Sequence, residues 1–201
     1  MLDNESEKEH EANLKRLKAL RPLDDTLMRR MFKNNIPLTE KVLGIILEKP
    51  DLKVISVETQ VDLKRVTGAR SLCLDAEAVD LEGNRYDIEV QKSNAGAKPK
   101  RARYHSSVMD IENLSVNDDF EKLPETYVIM ITEKDVYKEG KAMYQIDRMN
   151  LATGKLFGDK AHIIYVNGAF EGDDEIGRLM HDFRCSDPHE MFMDLMRERA
   201  L

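Results

Sequence analysis

The stretch RSLCLDAEAVDLEGNRYDIEVQ, residues 70–91, decides how this chain folds. Read as two strands joined at Glu82-Gly83-Asn84, it has a consistent parity. In the first strand Leu72, Leu74, Ala76 and Ala78 share one face and Cys73, Asp75, Glu77 and Val79 the other; in the second, Tyr86, Ile88 and Val90 oppose Asp87, Glu89 and Gln91. Pairing apolar face with apolar face requires an odd-length connection, such as a three-residue loop with Gly83 in a left-handed conformation. A slip of one residue would turn every core side chain to solvent. That register sets Asp75 opposite Glu89 or two residues from it, within the pattern D-x13-E-x-Q. Two carboxylates and an amide then converge on the polar face, a set of hard oxygen donors suited to a divalent ion. A polar face also arises simply because one side of a hairpin is wet. Residue type favours a site: Asp and Glu are poor strand formers, yet several occupy well-patterned strands here.

Upstream, Leu23 to Phe32 and Leu38 to Leu47 read as helices split around Asn34-Asn35-Ile36-Pro37, with Thr39 near the start of the second. Val42, Leu43, Ile45, Ile46 and Leu47 give the second helix a broad apolar face for packing on a sheet. Glu40 falls in its first turn, where a negative charge suits the helix dipole. Residues 52–60, LKVISVETQ, read as a strand ending in a second E-x-Q triplet, Glu58-Thr59-Gln60. The triplet alone is therefore weak, and the later copy stands out because Asp75 precedes it in a matched strand. Val61 to Ala69 reads as a loop.

Downstream, Lys92, Lys98, Lys100, Arg101 and Arg103 fall in twelve residues without an acid, followed by Tyr104, His105, Ser106 and Ser107. Pro99 suits the first turn of a helix running to about Leu114. This basic stretch reads either as a solvated helix start or as an element that grips phosphates beside the carboxylates. TYVIMIT, residues 126–132, reads as a central strand buried on both faces. Tyr144 to Asn150 and Ala161 to Val166 read as further strands, the first turned at Thr153-Gly154. Two helices follow, about Asp174 to Phe183 and Pro188 to Arg199. His181, Cys185 and His189 recur every four residues, but Ser186-Asp187-Pro188 interrupts any helix carrying all three, and Ser186 or Asp187 as a cap explains the stretch better than zinc does.

With 201 residues, 41% hydrophobic and 34% charged, the chain can bury one proper core. Residues 1–22 read as a charged tail and exposed helix, with Leu14, Leu17 and Leu20 at helical spacing, and residues 23–201 as the domain. No run has the length of a membrane span, the N-terminus is too polar for a signal peptide, and two cysteines make no disulfide framework, so a cytoplasmic location is expected. A net charge of −7 argues against a generally basic coat but not against phosphate contact at one patch.

Helix, strand, acidic hairpin ending in E-x-Q, basic helix and apolar strand resemble the core of the PD-(D/E)XK nucleases, an α/β (α+β) restriction-endonuclease-like fold with a central mixed sheet and an acidic hairpin flanked by helices. More narrowly, SLCLDAEAVDLEGNRYDIEVQ, RARYHSSVMD, TYVIMITEKD and MHDFRCSDPHEMF resemble the PD-(D/E)XK nuclease family transposases, also called recombination-promoting nucleases. The resemblance implies Mg²⁺-dependent DNA endonuclease or nickase activity, with Mn²⁺ as a substitute ion, in recombination or on mobile or phage DNA. It implies Asp75, Glu89 and Gln91 as catalytic residues, and Asp75, Glu89 and the Val90 carbonyl as metal ligands, with Glu40 as the nearest candidate for an additional helix glutamate. Lys92, Lys98, Lys100, Arg101, Arg103 and Tyr104 are the expected DNA contacts. Gln91 stands where the family motif of the superfamily has lysine, and Arg101 or Arg103 could supply the missing charge, whereas Lys92 points to the opposite face. Proteins of this group generally continue further, which implies a short form without a C-terminal helical region. A non-catalytic binding protein on the same fold, or a ribonuclease with the same chemistry, are the alternatives. A homodimer would suit cutting of both strands.

Overall fold

A computed structural model describes residues 2–63, 71–93 and 95–200, the first eight of these by backbone alone. The acidic hairpin forms as its parity dictates. Strand β2 (Leu72–Asp80) pairs antiparallel with β3 (Arg85–Gln91), Ala76 opposite Ile88 and Ala78 opposite Tyr86. Ladder pairing runs from Val79–Arg85 to Ala76–Ile88, so the closure is odd, and Gly83 takes φ +85°. At that conformation a side chain is strained, and glycine is not. Asp80 closes the turn by accepting the N–H groups of Glu82 and Asn84, each at 2.9 Å.

Around this hairpin stands one six-stranded mixed sheet. Strand β1 (Val54–Leu63) pairs antiparallel with β2; β4 (Thr126–Thr132) lies parallel to β3, β8 (Ala161–Asn167) parallel to β4, and β5 (Met143–Ile146) antiparallel at the far edge. A two-stranded hairpin, β6 (Met149–Asn150) with β7 (Lys155–Leu156), stands apart from it. The strand expected over Tyr144–Asn150 is therefore broken at Asp147-Arg148. Asp147 turns its carboxylate to His162 Nδ1 at 2.5 Å instead of continuing the ladder. Strand β1 also extends to Leu63, beyond the expected Gln60; the rest of the expected loop, residues 64–69, lies outside the described residues.

Both faces of the sheet are covered. Tyr86, Ile88 and Val90 of β3 and Tyr127, Ile129 and Ile131 of β4 join α2 (Asp25–Phe32), α3 (Ile36–Ile46), α5 (Glu175–Arg184) and α6 (Asp194–Ala200) in the larger core. Val128 and Met130, of opposite parity, pack with Tyr165 against Ala102 and Met109 of α4 (Pro99–Asn113), the crossover between the parallel strands β3 and β4. That is why TYVIMIT is buried at every position. The restriction-endonuclease-like α+β reading holds.

Two helix boundaries differ from expectation. Helix α3 starts at Ile36, capped by Asn35, whose side chain accepts the Leu38 N–H at 3.3 Å. Thr39 sits one turn inside, its hydroxyl donating to the Asn35 carbonyl at 2.8 Å. At the C-terminus the expected helix over 188–199 is a short 3-10 turn, Pro188–Glu190, followed by α6. The break belongs to Asp182: its buried carboxylate accepts the N–H groups of Phe192 and Met193, at 2.9 and 2.8 Å, and holds the segment between them and α5. The N-terminal helix α1 (Leu2–Lys18) leaves Leu14 and Leu17 exposed. Among the described residues no helix is long and apolar enough to cross a membrane.

Candidate active site

The β2–β3 ladder stops where the carboxylates begin. Beyond Ala76–Ile88 the two strands are joined by side chains: the Asp75 N–H donates to Glu89 Oε1 at 2.9 Å, and the Val90 N–H donates to Asp75 Oδ2 at 3.2 Å. Asp75 and Glu89 thus face each other across the splayed end of the hairpin, as the parity requires. The Val90 peptide edge points to β2, since Gln91 and Arg85, at odd positions, bond towards β4. The Val90 carbonyl consequently lies on the Asp75 side.

Helix α4 closes the other side. Its Arg101 guanidinium donates through Nη2 to Glu89 Oε2 at 3.1 Å and through Nη1 to Gln91 Oε1 at 3.3 Å. Gln91 Nε2 in turn donates to Glu89 Oε2 at 3.3 Å. One turn along the same helix, His105 Nδ1 lies 2.7 Å from Asp87 Oδ2, and its Nε2 accepts from Arg101 Nε at 3.3 Å. Asp87, Glu89 and His105 are all fully buried, and each offers a ligand atom within 4.8 Å of the others'. Among the described residues Asp87 Oδ1 is buried with no N–H or hydroxyl donor.

The electrostatics follow from crowding. Burial, then the neighbouring Asp87 and Asp75 charges, push Glu89 up to about 8. Burial likewise raises Asp75, with the Asp25 charge adding to it and Arg29 opposing it. Asp87 is pushed well above the ordinary carboxylate range by burial, while burial pushes His105 down. Such an arrangement retains protons or takes up a cation.

The structure therefore brings together Asp75, Glu89, Gln91, Val90 and Arg101. It does not bring in Glu40, and this corrects the expectation: Glu40 accepts the Val54 N–H at 3.0 Å and lies 3.6 Å from Lys53, at the far end of β1. The register pairs that end of β1 with Asp80, well away from Asp75. The helix acid near Asp75 is Asp25 of α2, linked to it through Arg29, whose Nη2 lies 2.8 Å from Asp25 and 3.4 Å from Asp75. Lys92 points away from the cluster and pairs with Asp24. Lys98, Lys100 and Arg103 are exposed around the start of α4, and Tyr104 is half-buried. Asp87, His105, Arg29 and Asp25 are the residues that sequence reasoning missed. Asp87 shares the parity of Glu89 and Gln91, and His105 follows Arg101 by four, so both signals were present.

His181, Cys185 and His189 are not gathered into one group. His181 Nδ1 lies 3.0 Å from Asp182, Cys185 is held at the Asp187 carbonyl, and the His189 N–H donates to Asp187 Oδ1 at 2.9 Å, so Asp187 serves as a cap.

No curated protein and no solved structure matches the chain. The family model for PD-(D/E)XK nuclease family transposases matches residues 22–169, a span that runs from before α2 through β8 and contains the whole cluster. Hairpin, crossover helix and carboxylates agree with that match: the chain belongs to the PD-(D/E)XK nuclease family transposases.

Proposed function

We propose that this protein is a divalent-cation-dependent DNA endonuclease or nickase, acting in recombination or on mobile or phage DNA, with Asp75 and Glu89 as its essential carboxylates. The observation that carries the reading is the splayed hairpin end. Main-chain pairing is given up there so that Asp75 and Glu89 can meet, and buried carboxyl groups crowd beside them, including Asp87 Oδ1, which meets no N–H or hydroxyl donor among the described residues. A cation relieves that crowding, so the residues fit one. Asp75, Glu89 and the Val90 carbonyl are a hard-oxygen donor set that suits Mg²⁺ or Mn²⁺. Bound there, the ion supplies Lewis-acid polarisation of the phosphate and a lowered pKa for water.

The chain's own residues do the rest. Glu89 keeps about one unshared lone pair, on Oε1, after accepting Arg101 and Gln91 at Oε2 and the Asp75 N–H at Oε1, because a carboxylate offers about four sites. Gln91 is held at both ends of its amide, so it orients neighbours without bringing charge. Arg101 brings the charge, a fixed guanidinium over the site that stabilises negative charge developing on the phosphate. Water adds to phosphorus, the bond to the 3′ oxygen breaks, and that oxygen takes a proton, leaving a 5′-phosphate and a 3′-hydroxyl. Exposed Lys98, Lys100 and Arg103 give the approaching backbone a basic track on α4.

A second reading is a non-catalytic DNA-binding protein on this fold. It is favoured by one observation, that Glu89 Oε2 is already engaged by Arg101 and Gln91. Cleavage of supercoiled plasmid with Mg²⁺, Mn²⁺, Ca²⁺ or EDTA, beside Glu89→Ala, separates the two. Nicking or linearisation that needs Mg²⁺ or Mn²⁺ and vanishes in the variant supports the nuclease. DNA retention by a wild type that cuts under none of these conditions supports the binding protein.

A further inference from the structure

We infer that Asp87 and His105 are positioning residues: a buried pair that holds the Arg101 guanidinium over Glu89 and Gln91, where it takes the part of the motif's missing lysine. The inference rests on the nuclease reading for the role of Arg101, and on geometry alone for the holding.

The donors and acceptors allow one arrangement. Arginine Nε can only donate, so His105 Nε2 must accept and the imidazole hydrogen must sit on Nδ1. Nδ1–H then donates to Asp87 Oδ2 at 2.7 Å. Asp87 thereby fixes the ring's tautomer and orientation, and the ring fixes Nε of the arginine. With Nε pinned, the planar fork has its two remaining nitrogens aimed at Gln91 Oε1 and Glu89 Oε2. Lysine carries three donors as well, but all on one freely rotating nitrogen, so it has no separate Nε–H by which the helix can fix a planar fork.

Three observations separate this from ordinary packing. Arg101 and His105 stand one helical turn apart on the same face of α4, the spacing at which side chains meet. The pair is an expensive way to attach a helix: both side chains are fully buried, and Asp87 Oδ1 meets no N–H or hydroxyl donor among the described residues. Helix α4 already packs through Ala102 and Met109 on Val128, Met130 and Tyr165. Finally, the loop before α4 leaves room for the contact. A Cβ on Gly96 would stand 1.9 Å from Gln91 Oε1 and 3.4 Å from the Arg101 guanidinium, so a side chain there would make the Gln91 amide shift from its present contact.

The test uses His105→Phe, which removes both ring contacts, and His105→Gln, which keeps an acceptor near the Nε2 position; circular dichroism checks that each folds. The Arg101 Nε–H signal in a ¹⁵N NMR spectrum should exchange slowly in the wild type and rapidly in His105→Phe. Plasmid cleavage should lose roughly 10–100-fold in kcat, with KM for DNA little changed, as is usual when a supporting contact is removed. His105→Gln should recover part of the loss. In an Arg101→Ala background, His105→Phe should cost nothing more, because its effect passes through Arg101. An additive loss in that background, or an unprotected Nε–H in the wild type, overturns the positioning role. A protected Nε–H in a wild type that cuts no DNA leaves the holding intact and overturns the part assigned to Arg101 in catalysis, together with the nuclease reading.

Discussion

The chain contains the triplet E-x-Q twice, and the two copies occupy opposite kinds of place. Glu58-Thr59-Gln60 lies on β1, one of the sheet's two edge strands, with Glu58 and Gln60 exposed. Glu89-Val90-Gln91 lies at the end of β3, flanked by β2 and β4 and roofed by α4, with Glu89 fully buried. Identical side chains therefore meet different physics. On the edge, a carboxylate stands in water. Under α4, burial and the Asp87 and Asp75 charges displace Glu89 to about 8. A motif acquires its chemistry from the strand that carries it.

The strongest way to break this comparison is to neutralise each glutamate in turn. Glu89→Gln should lower cleavage on the order of 10³-fold or more, as loss of both an ion ligand and a charge implies. Glu58→Gln should leave it within about twofold, since exposed substitutions away from a site do little. Next in size is Arg101→Ala, expected to cost roughly 10²–10³-fold in kcat for the loss of a fixed transition-state charge. Arg103→Ala, exposed on the same helix, should instead weaken DNA binding and reduce its salt dependence by about one unit of slope for one phosphate contact.

Stability should move the other way from activity. Asp87→Leu combined with His105→Leu replaces a buried polar pair, one oxygen of which meets no N–H or hydroxyl donor among the described residues, and such exchanges are commonly neutral or stabilising by about 1–4 kcal/mol. Thermal unfolding should show an unchanged or higher Tm in a variant that cleaves poorly. A large drop in Tm would make the pair a structural support.

The same burial implies a pH dependence of the ion-free protein. Folded Glu89 keeps its proton up to about 8, whereas the unfolded chain releases it near 4.5. Between those values the folded state binds the extra proton, so this contribution to stability is full below 4.5 and is lost as pH rises towards 8. Raised Asp75 and Asp87 act in the same direction, and lowered His105 opposes them below 6.5. The difference between wild type and Glu89→Gln, followed in EDTA, isolates Glu89: the gap in Tm should widen in the variant's favour from pH 5 to pH 8.

The hairpin was legible because strand parity is a strict constraint. Once Leu74, Ala76, Tyr86 and Ile88 must share a face, the Asp75–Glu89 juxtaposition follows. The basic start of α4 was legible too, but not which of its cations turns inward. That depends on the helix's rotation over the sheet, which Ala102 and Met109 set by packing on β4 and β8. For the same reason the pairing of Asp87 with His105 was not legible, although strand parity and the four-residue spacing to Arg101 marked each one singly: a histidine on a helix shows nothing of the carboxylate it will meet across a layer boundary. Glu40 was misplaced because a helix acid near a strand looks alike at either end of that strand. Only the start of α3 at Ile36, after its Asn35 cap, and the β1 register put Glu40 beside Val54. The break before α6 was hidden because a distant buried carboxylate, Asp182, claims the two N–H groups.

The measurement that bears most directly on the central claim is Mn²⁺ binding, by titration calorimetry, to the wild type, Glu89→Gln and Glu58→Gln. The wild type and Glu58→Gln should bind with the same affinity at one site, and Glu89→Gln should lose that site while remaining folded. Equal binding by Glu89→Gln and the wild type would contradict the account, because the ion would then owe nothing to the triplet buried under α4.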